Sequence, residues 1–144
     1  MTRNKSRQLE LWEFNLETFK WEQLLALGVR MPVLYGHSAV YHADSHIMYV
    51  FGGYAGDPQN KLYALSLQKM SWTELPTFND LNRPDSFLPR ARYFHSAATT
   101  ENYMIIYGGR TSPYNSSDVI LAYIYDCNQW IRLTEDVHIV GRLQ

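Results

Sequence analysis

Met48-Tyr49-Val50-Phe51-Gly52-Gly53 and Met104-Ile105-Ile106-Tyr107-Gly108-Gly109 are two versions of one segment. Each follows a second shared segment, Tyr35-Gly36-His37-Ser38-Ala39-Val40 in one unit and Tyr93-Phe94-His95-Ser96-Ala97-Ala98 in the other. Each unit then closes on a third. In the first unit it is Leu62-Tyr63-Ala64-Leu65-Ser66-Leu67 with Ser71-Trp72, and in the second Ile120-Leu121-Ala122-Tyr123-Ile124-Tyr125 with Gln129-Trp130. An extra copy of this last element stands upstream, as Leu11-Trp12-Glu13-Phe14-Asn15-Leu16 with Lys20-Trp21. The period is about 50–58 residues, the spacing of a repeated four-stranded unit.

The pattern inside each unit is that of strands. Trp12, Phe14 and Leu16 alternate, as do Tyr63, Leu65, Leu67 and Leu121, Tyr123, Tyr125. A period of two marks a strand with one buried face. A short polar turn and a Trp-led strand follow each: Trp21 to Leu24, Trp72 to Leu75, Trp130 to Leu133. The runs ending in Gly-Gly are apolar on both faces, as inner strands are. The double glycine fits a close backbone approach or a positive φ. With the strands named a to d, the chain reads c-d, a-b-c-d, a-b-c-d. The expected fold is all-β: blades of a propeller, about two and a half of them, with the Trp residues between neighbours.

In an antiparallel meander the b–c loops and the d–a connections emerge at one end. These are the long ones here, near 22–34, 54–61, 76–92 and 110–119. The a–b and c–d turns, near 41–46, 68–70, 99–102 and 126–129, are short. Binding residues concentrate on loops carried by a rigid scaffold, so the long-loop end is the expected binding face. The layout is a tail at 1–8, repeats over 9–134 (a partial blade at 9–25, full blades at 35–76 and 92–134) and a tail at 135–144.

Composition narrows the function. Lys and Arg number 13 against 14 Asp and Glu, so there is no basic excess to neutralise phosphates and nucleic acid is not expected as a partner. No apolar run approaches the ~20 residues of a membrane span, so this segment is not expected to insert in a membrane. Basic residues in Met1-Thr2-Arg3-Asn4-Lys5-Ser6-Arg7 lead into Gln8-Leu9-Glu10 rather than the apolar core of a leader. A single cysteine, Cys127, excludes an internal disulfide scaffold.

These units resemble the kelch repeat, with its double glycine after strand b and its spaced aromatic and Trp. The resemblance covers about residues 9–134. Tyr35-Gly36-His37-Ser38-Ala39-Val40-Tyr41-His42 with Val50-Phe51-Gly52-Gly53-Tyr54, then Arg92 to Ala97, then Leu121-Ala122-Tyr123 with Asp126-Cys127-Asn128-Gln129-Trp130, are similar to the propeller of attractin and its multiple-EGF-domain relative. Muskelin-type propellers are related in pattern. The attractin resemblance implies a closed propeller of about six or seven blades. It would stand in the extracellular part of a single-pass membrane glycoprotein with EGF-like, CUB, plexin-type and lectin-like modules. That family is linked to receptor signalling and turnover through protein contacts. Leu121 departs from the aromatic at Trp12 and Tyr63. With about two and a half blades, the sequence is expected to be a truncated product, a partial gene model or an excised piece.

Other readings stay open. A cytoplasmic kelch adaptor, muskelin-like or a ubiquitin-ligase substrate receptor, would carry a BTB, LisH or discoidin-like segment nearby. Galactose oxidase also uses kelch-type blades, but needs copper ligands and a cysteine-linked tyrosine. The chain offers one Cys and no coherent ligand set, so no catalysis, cofactor or metal is expected.

Several constellations resemble chemistry. His42-Ala43-Asp44-Ser45-His46 places two imidazoles and a carboxylate at alternate positions, a metal pattern, but in a turn that is polar anyway. His37-Ser38 and His95-Ser96 read as base and nucleophile, yet adjacent strand residues point to opposite faces. Gly52-Gly53-Tyr54-Ala55-Gly56 lacks the Lys-Ser/Thr of a phosphate loop. Arg83, Arg90 and Arg92 gather with Asp80 and Asp85 in the 76–92 connection, with Phe78, Phe87 and Tyr93 as aromatic anchors. The expected partner-binding loops thus bear Phe78, Arg83, Phe87, Arg90, Arg110 and Tyr114. Asn115-Ser116-Ser117 and Asn4-Lys5-Ser6 are N-glycosylation sequons. An incomplete ring should also expose Trp12 and strand edges, favouring self-association and poor solubility.

Overall fold

The structure, a computed structural model, describes residues 7–76 and 88–134. Among them there is no helix; eleven strands form three sheets. The first blade is a hairpin of β1 (Leu11–Asn15) and β2 (Lys20–Leu24). The second is a meander of β4 (Ser38–His42), β5 (Ile47–Phe51), β6 (Leu62–Ser66) and β7 (Ser71–Leu75). The third repeats it with β8 (Ser96–Thr99), β9 (Tyr103–Tyr107), β10 (Ile120–Ile124) and β11 (Gln129–Arg132). The tail residues 1–6 and 135–144 lie outside the described residues.

The strand not foreseen is β3 (Leu27–Gly28), which falls in the connection read as loop at 22–34. It runs parallel to β7, pairing Leu27 with Ser71 and Gly28 with Trp72. Leu27 donates its amide to the Met70 carbonyl (2.8 Å) and Val29 to that of Trp72 (3.0 Å). So short a pairing has no periodicity of its own to betray it.

Register makes the repeat equivalence explicit. The c-strand residue faces the d-strand Trp in all three blades: Phe14 opposite Trp21, Leu65 opposite Trp72, Tyr123 opposite Trp130. Each pair belongs to the face its blade turns toward the preceding blade, here the leading face. On the third blade the leading face is Met104, Ile106, Leu121, Tyr123 and Trp130, all buried. It packs on the trailing face of the second blade, Val40, Tyr49, Phe51, Leu62 and Ala64. The Trp130 and Phe51 rings stand 4.8 Å apart. The second blade's own leading face, Val50, Tyr63, Leu65 and Trp72, is covered by Met31, Leu34 and the edge residues Leu9, Leu11 and Ala26.

The first blade corrects the sequence reading. Trp12, Phe14 and Leu16 were expected on a buried face, and all three are exposed. Leu16 lies in the turn after β1, and no blade covers the hairpin's leading face among the described residues. β9 departs in the same way. Its leading residues Met104 and Ile106 are buried, whereas Tyr103 and Tyr107 on its trailing face are exposed.

Both double glycines satisfy the two demands foreseen for them. Gly52 and Gly53 sit at φ +66° and +95°. A Cβ on Gly52 would come within 2.7 Å of the Arg92 carbonyl oxygen. The space that glycine leaves lets the third blade's entry strand approach, and Gly53 donates its amide to that same carbonyl at 2.9 Å.

Candidate protein-binding face

The pairings Ser38–Phe51, Phe51–Leu62 and Leu62–Leu75 place the start of β4, the β5–β6 loop and the end of β7 at one end of the second blade. In the third blade Ser96–Tyr107 and Ile120–Tyr107 do the same. Long connections therefore share one end. Just before each a strand, the chain bridges across to the residue after the double glycine. Tyr35 and Tyr54 exchange two backbone hydrogen bonds (3.2 and 2.8 Å), and so do Tyr93 and Arg110 (3.0 and 2.7 Å).

Between these bridges lies an aromatic cluster that the sequence reading did not single out. Tyr35 stacks against Tyr54 (5.1 Å) and Phe94 (6.0 Å), and Tyr93 against Tyr54 (5.3 Å) and Phe94 (5.2 Å). Phe94 is 61% exposed, and Tyr35 is exposed as well. Phe94 adopts φ +56°, at the repeat position where the second blade has Gly36 at φ +66°. For a residue with a Cβ, the left-handed region costs roughly 1–2 kcal/mol. The backbone bond from Phe94 to the Gly36 carbonyl (2.8 Å) holds it there. Gly36 in turn leaves room for the ring, since a Cβ on it would meet Phe94 Cδ1 at 2.9 Å. The signal for this cluster was present in the aligned Tyr-Gly-His and Tyr-Phe-His segments, where Phe replaces Gly.

Several of the residues expected to bind a partner belong to the connections at this same end. Arg90 and Arg110 are exposed, and Tyr114 is 95% exposed at the tip of the β9–β10 loop. Asn115 is exposed in the same turn, its amide bonded to Ser112 Oγ (3.1 Å). Phe78, Arg83 and Phe87, with Asp80 and Asp85, lie outside the described residues, as does Asn4. Two expectations for the rim are corrected. Tyr93 is buried under Tyr54 and Phe94 and is not an available anchor. Arg92 is buried too. Its Nε donates to the Arg90 carbonyl (3.0 Å) and its Nη1 to the Gly108 carbonyl (3.2 Å) and Ser117 Oγ (3.3 Å). It ties loops together instead of displaying charge.

The His-Ser pairs meet in an unexpected way. The contact runs between the pairs: across the blade seam Ser38 Oγ and His95 Nε2 are hydrogen-bonded at 2.7 Å. His95 is 8% exposed and packs its edge on Phe51. Burial first, then the Arg92 guanidinium and His37, push its pKa down to about 4. An imidazole held neutral so firmly is a weak base toward a serine hydroxyl near pH 7, since catalytic efficiency falls as the base's pKa drops away from working pH. The bond is a seam contact.

His42 and His46 do not share a site. His42 Nε2 donates to the Glu101 carbonyl of the next blade (2.7 Å), its Nδ1 accepts from Ser45 Oγ (2.7 Å), and its ring stacks on Tyr125 at 4.1 Å. His46 instead shares a hydrogen bond with the Tyr41 hydroxyl (2.7 Å). Among the described residues no group of three or more His, Cys, Asp or Glu side chains is placed to hold a metal ion. Cys127 is exposed.

Compared with known protein families, residues 1–141 match the KLHDC2/KLHL20/DRC7 Kelch-repeats domain. The chain belongs to this kelch-repeat family. Among individual relatives, it is 34% identical over 127 residues to mouse Multiple epidermal growth factor-like domains protein 8, covering 85% of this chain. It is 33% identical over 116 residues to rat Kelch domain-containing protein 3, covering 76% of this chain. A third relative is Kelch domain-containing protein 10 of Xenopus tropicalis, 30% identical over 124 residues and covering 84% of this chain. The kelch chain spans only 4% of the first relative's length and 28% of the other two. The three-blade arrangement above is thus the kelch arrangement, and the resemblance to multiple-EGF-domain proteins stands at the level of sequence. No helix among the described residues is long and apolar enough to cross a membrane.

Proposed function

We propose that this kelch chain is a non-catalytic protein-interaction module whose long-loop end is the docking face. The observation that carries the proposal is Phe94, an exposed aromatic kept in a strained backbone conformation where the sister repeat uses glycine. Strain that nothing in the core requires is retained where a side chain is needed, and aromatic residues are the usual energetic anchors of interfaces. Arg90, Arg110 and Tyr114 supply a polar rim, and Phe78, Arg83 and Phe87 are proposed to extend it.

Phe94→Gly tests this sharply. Restoring the sister residue should leave stability within about 1 kcal/mol, because relieved strain offsets the lost packing and added chain freedom. Photocrosslinkers placed at Phe94 and, as a control, at Asp126 on the opposite end would identify the partner by its capture at Phe94 alone. Affinity for that partner should then fall at least about tenfold in Phe94→Gly. Charge reversal at Arg90 and Arg110 should weaken it more than changes at Asp44 or Glu101. Equal capture at both ends, or full affinity in Phe94→Gly, would refute the assignment.

For the parent protein we propose an attractin-like membrane glycoprotein, acting in receptor signalling and turnover, with this segment outside the cell. The support is the match to Multiple epidermal growth factor-like domains protein 8 and the exposed position of the Asn115 sequon. A cytoplasmic kelch adaptor is the second reading, favoured by the larger share of Kelch domain-containing protein 3 that the chain spans. The modification state of the native protein, isolated from the cells that make it, separates them. A glycan on Asn115, seen as an endoglycosidase-sensitive mass increase lost in Asn115→Gln, is expected; an unmodified Asn115 would favour the cytoplasmic reading.

A further inference from the structure

The β9–β10 loop carries its sequon within reach of the aromatic cluster. Residues 109–117 fold into a small hairpin. Arg110 bridges to Ser116, Ser117 donates its amide to the Gly109 carbonyl (2.8 Å), and Thr111 donates to that of Asn115 (3.0 Å). On its other side Arg110 bridges to Tyr93. Ser116, Arg110 and Tyr93 therefore lie side by side, each about 5 Å from the next. Asn115 adjoins one flank of this ladder and Phe94 the other, so their backbones stand on the order of 10 Å apart. Asn115 is exposed, and its backbone, not its carboxamide, makes the turn's hydrogen bonds. The side chain is left for attachment. Ser117 supplies the sequon hydroxyl. In the folded blade that oxygen accepts from Arg92 Nη1 (3.3 Å) and from the Val119 amide (3.3 Å). Transfer of a sugar therefore belongs to the nascent chain, before the third blade closes.

We propose that an N-glycan on Asn115 screens Phe94 and Tyr35, so that occupancy of this sequon sets whether a partner docks on the aromatic cluster. The inference rests on the docking reading above and adds its regulation. An N-glycan is bulky and solubilising. Tethered about 10 Å away, it sweeps the space over Phe94 whichever way it leans. A partner would have to displace it, because the aromatic anchors of an interface bind where water is excluded and a hydrated sugar chain brings water in. The screening is local. Tyr41 stands near the other end of the second blade, beside the short β4–β5 turn, and lies outside it.

The 144-residue chain, secreted from glycosylating cells, tests this in three forms: intact, trimmed enzymatically to the first sugar, and as Asn115→Gln. Hydroxyl-radical footprinting reads the oxidation rates of Phe94 and Tyr35 against that of Tyr41, whose exposure is similar (61%, 52% and 47%). Phe94 and Tyr35 should oxidise at least about threefold more slowly in the intact form than in the other two, with Tyr41 unchanged. A photocrosslinker at Phe94 should capture the partner from the trimmed and Asn115→Gln forms alone. Equal rates in all three forms would overturn the proposal, as would a secreted chain with no sugar on Asn115 or equal capture from the intact form. Equal slowing of Tyr41 would mean a change of the whole fold and would overturn it too. Slowed oxidation of Phe94 with no capture from any form would instead refute the docking reading, and the gating with it.

Discussion

Trp130→Ala should destabilise the chain by about 3–5 kcal/mol, the range for truncating a fully buried large aromatic. Trp130 is 2% exposed and wedged between Phe51 of one blade and Tyr123 of its own. Removing the indole opens a cavity in the only apolar layer joining the second and third blades among the described residues, and β-sheets on both sides are too stiff to collapse into it. The matched control is Trp21→Ala, at the same repeat position. Its indole is 66% exposed, so the cost should be below about 1 kcal/mol. Denaturant melts of both variants check the pair. Equal losses would show that burial at the seam is not what the Trp contributes.

Acid should weaken the same seam. His95 has its pKa lowered from 6.5 to about 4, chiefly by burial. The folded state therefore prefers neutral His95, and the unfolded chain takes up the proton first as pH falls. The stabilisation is complete above the unfolded value near 6.5 and is lost progressively as pH drops toward 4. Between pH 7 and 5 the loss should be about 2 kcal/mol, and burial lowers the pKa of His37 in the same sense. His95→Gln should flatten this part of the stability profile, whatever it does to stability at pH 7. An unchanged slope in that variant would place the acid sensitivity elsewhere.

Much of the fold was legible because each blade repeats the same physical demands. A Trp opposite a c-strand residue, a Gly-Gly where two backbones approach and alternation along strand c are constraints that a sequence must write down. The cross-blade contacts were not legible. Ser38 and His95 stand 57 residues apart, as Ser38 Oγ and His95 Nε2 show, and only the seam's geometry brings them together. The same holds for His42, whose partner is a backbone carbonyl and so leaves no mark on residue type. Burial of Arg92 and Tyr93 was missed because a stretch of mixed charge reads as solvated, while here Arg92 and Tyr93 lie against the double glycine of the third blade. Phe94 was visible only as a departure between two aligned copies. The exposed face of β1 followed from what lies next to it, which residue periodicity along one strand does not encode.

The two-residue strand β3 changes where this molecule can be divided. By sequence the repeat boundary falls in the connection after Leu24, which looks like a linker open to excision, permutation or insertion. By hydrogen bonding, Leu27 to Val29 are the outermost rim of the following blade. A cut just before Tyr35, where the repeated segment of the second blade starts, would strip that blade of β3 and lay bare the β7 edge. The unit that can be moved as a block therefore begins before Leu27, and the inheritable module of this architecture is offset from the repeat that the eye picks out in the text.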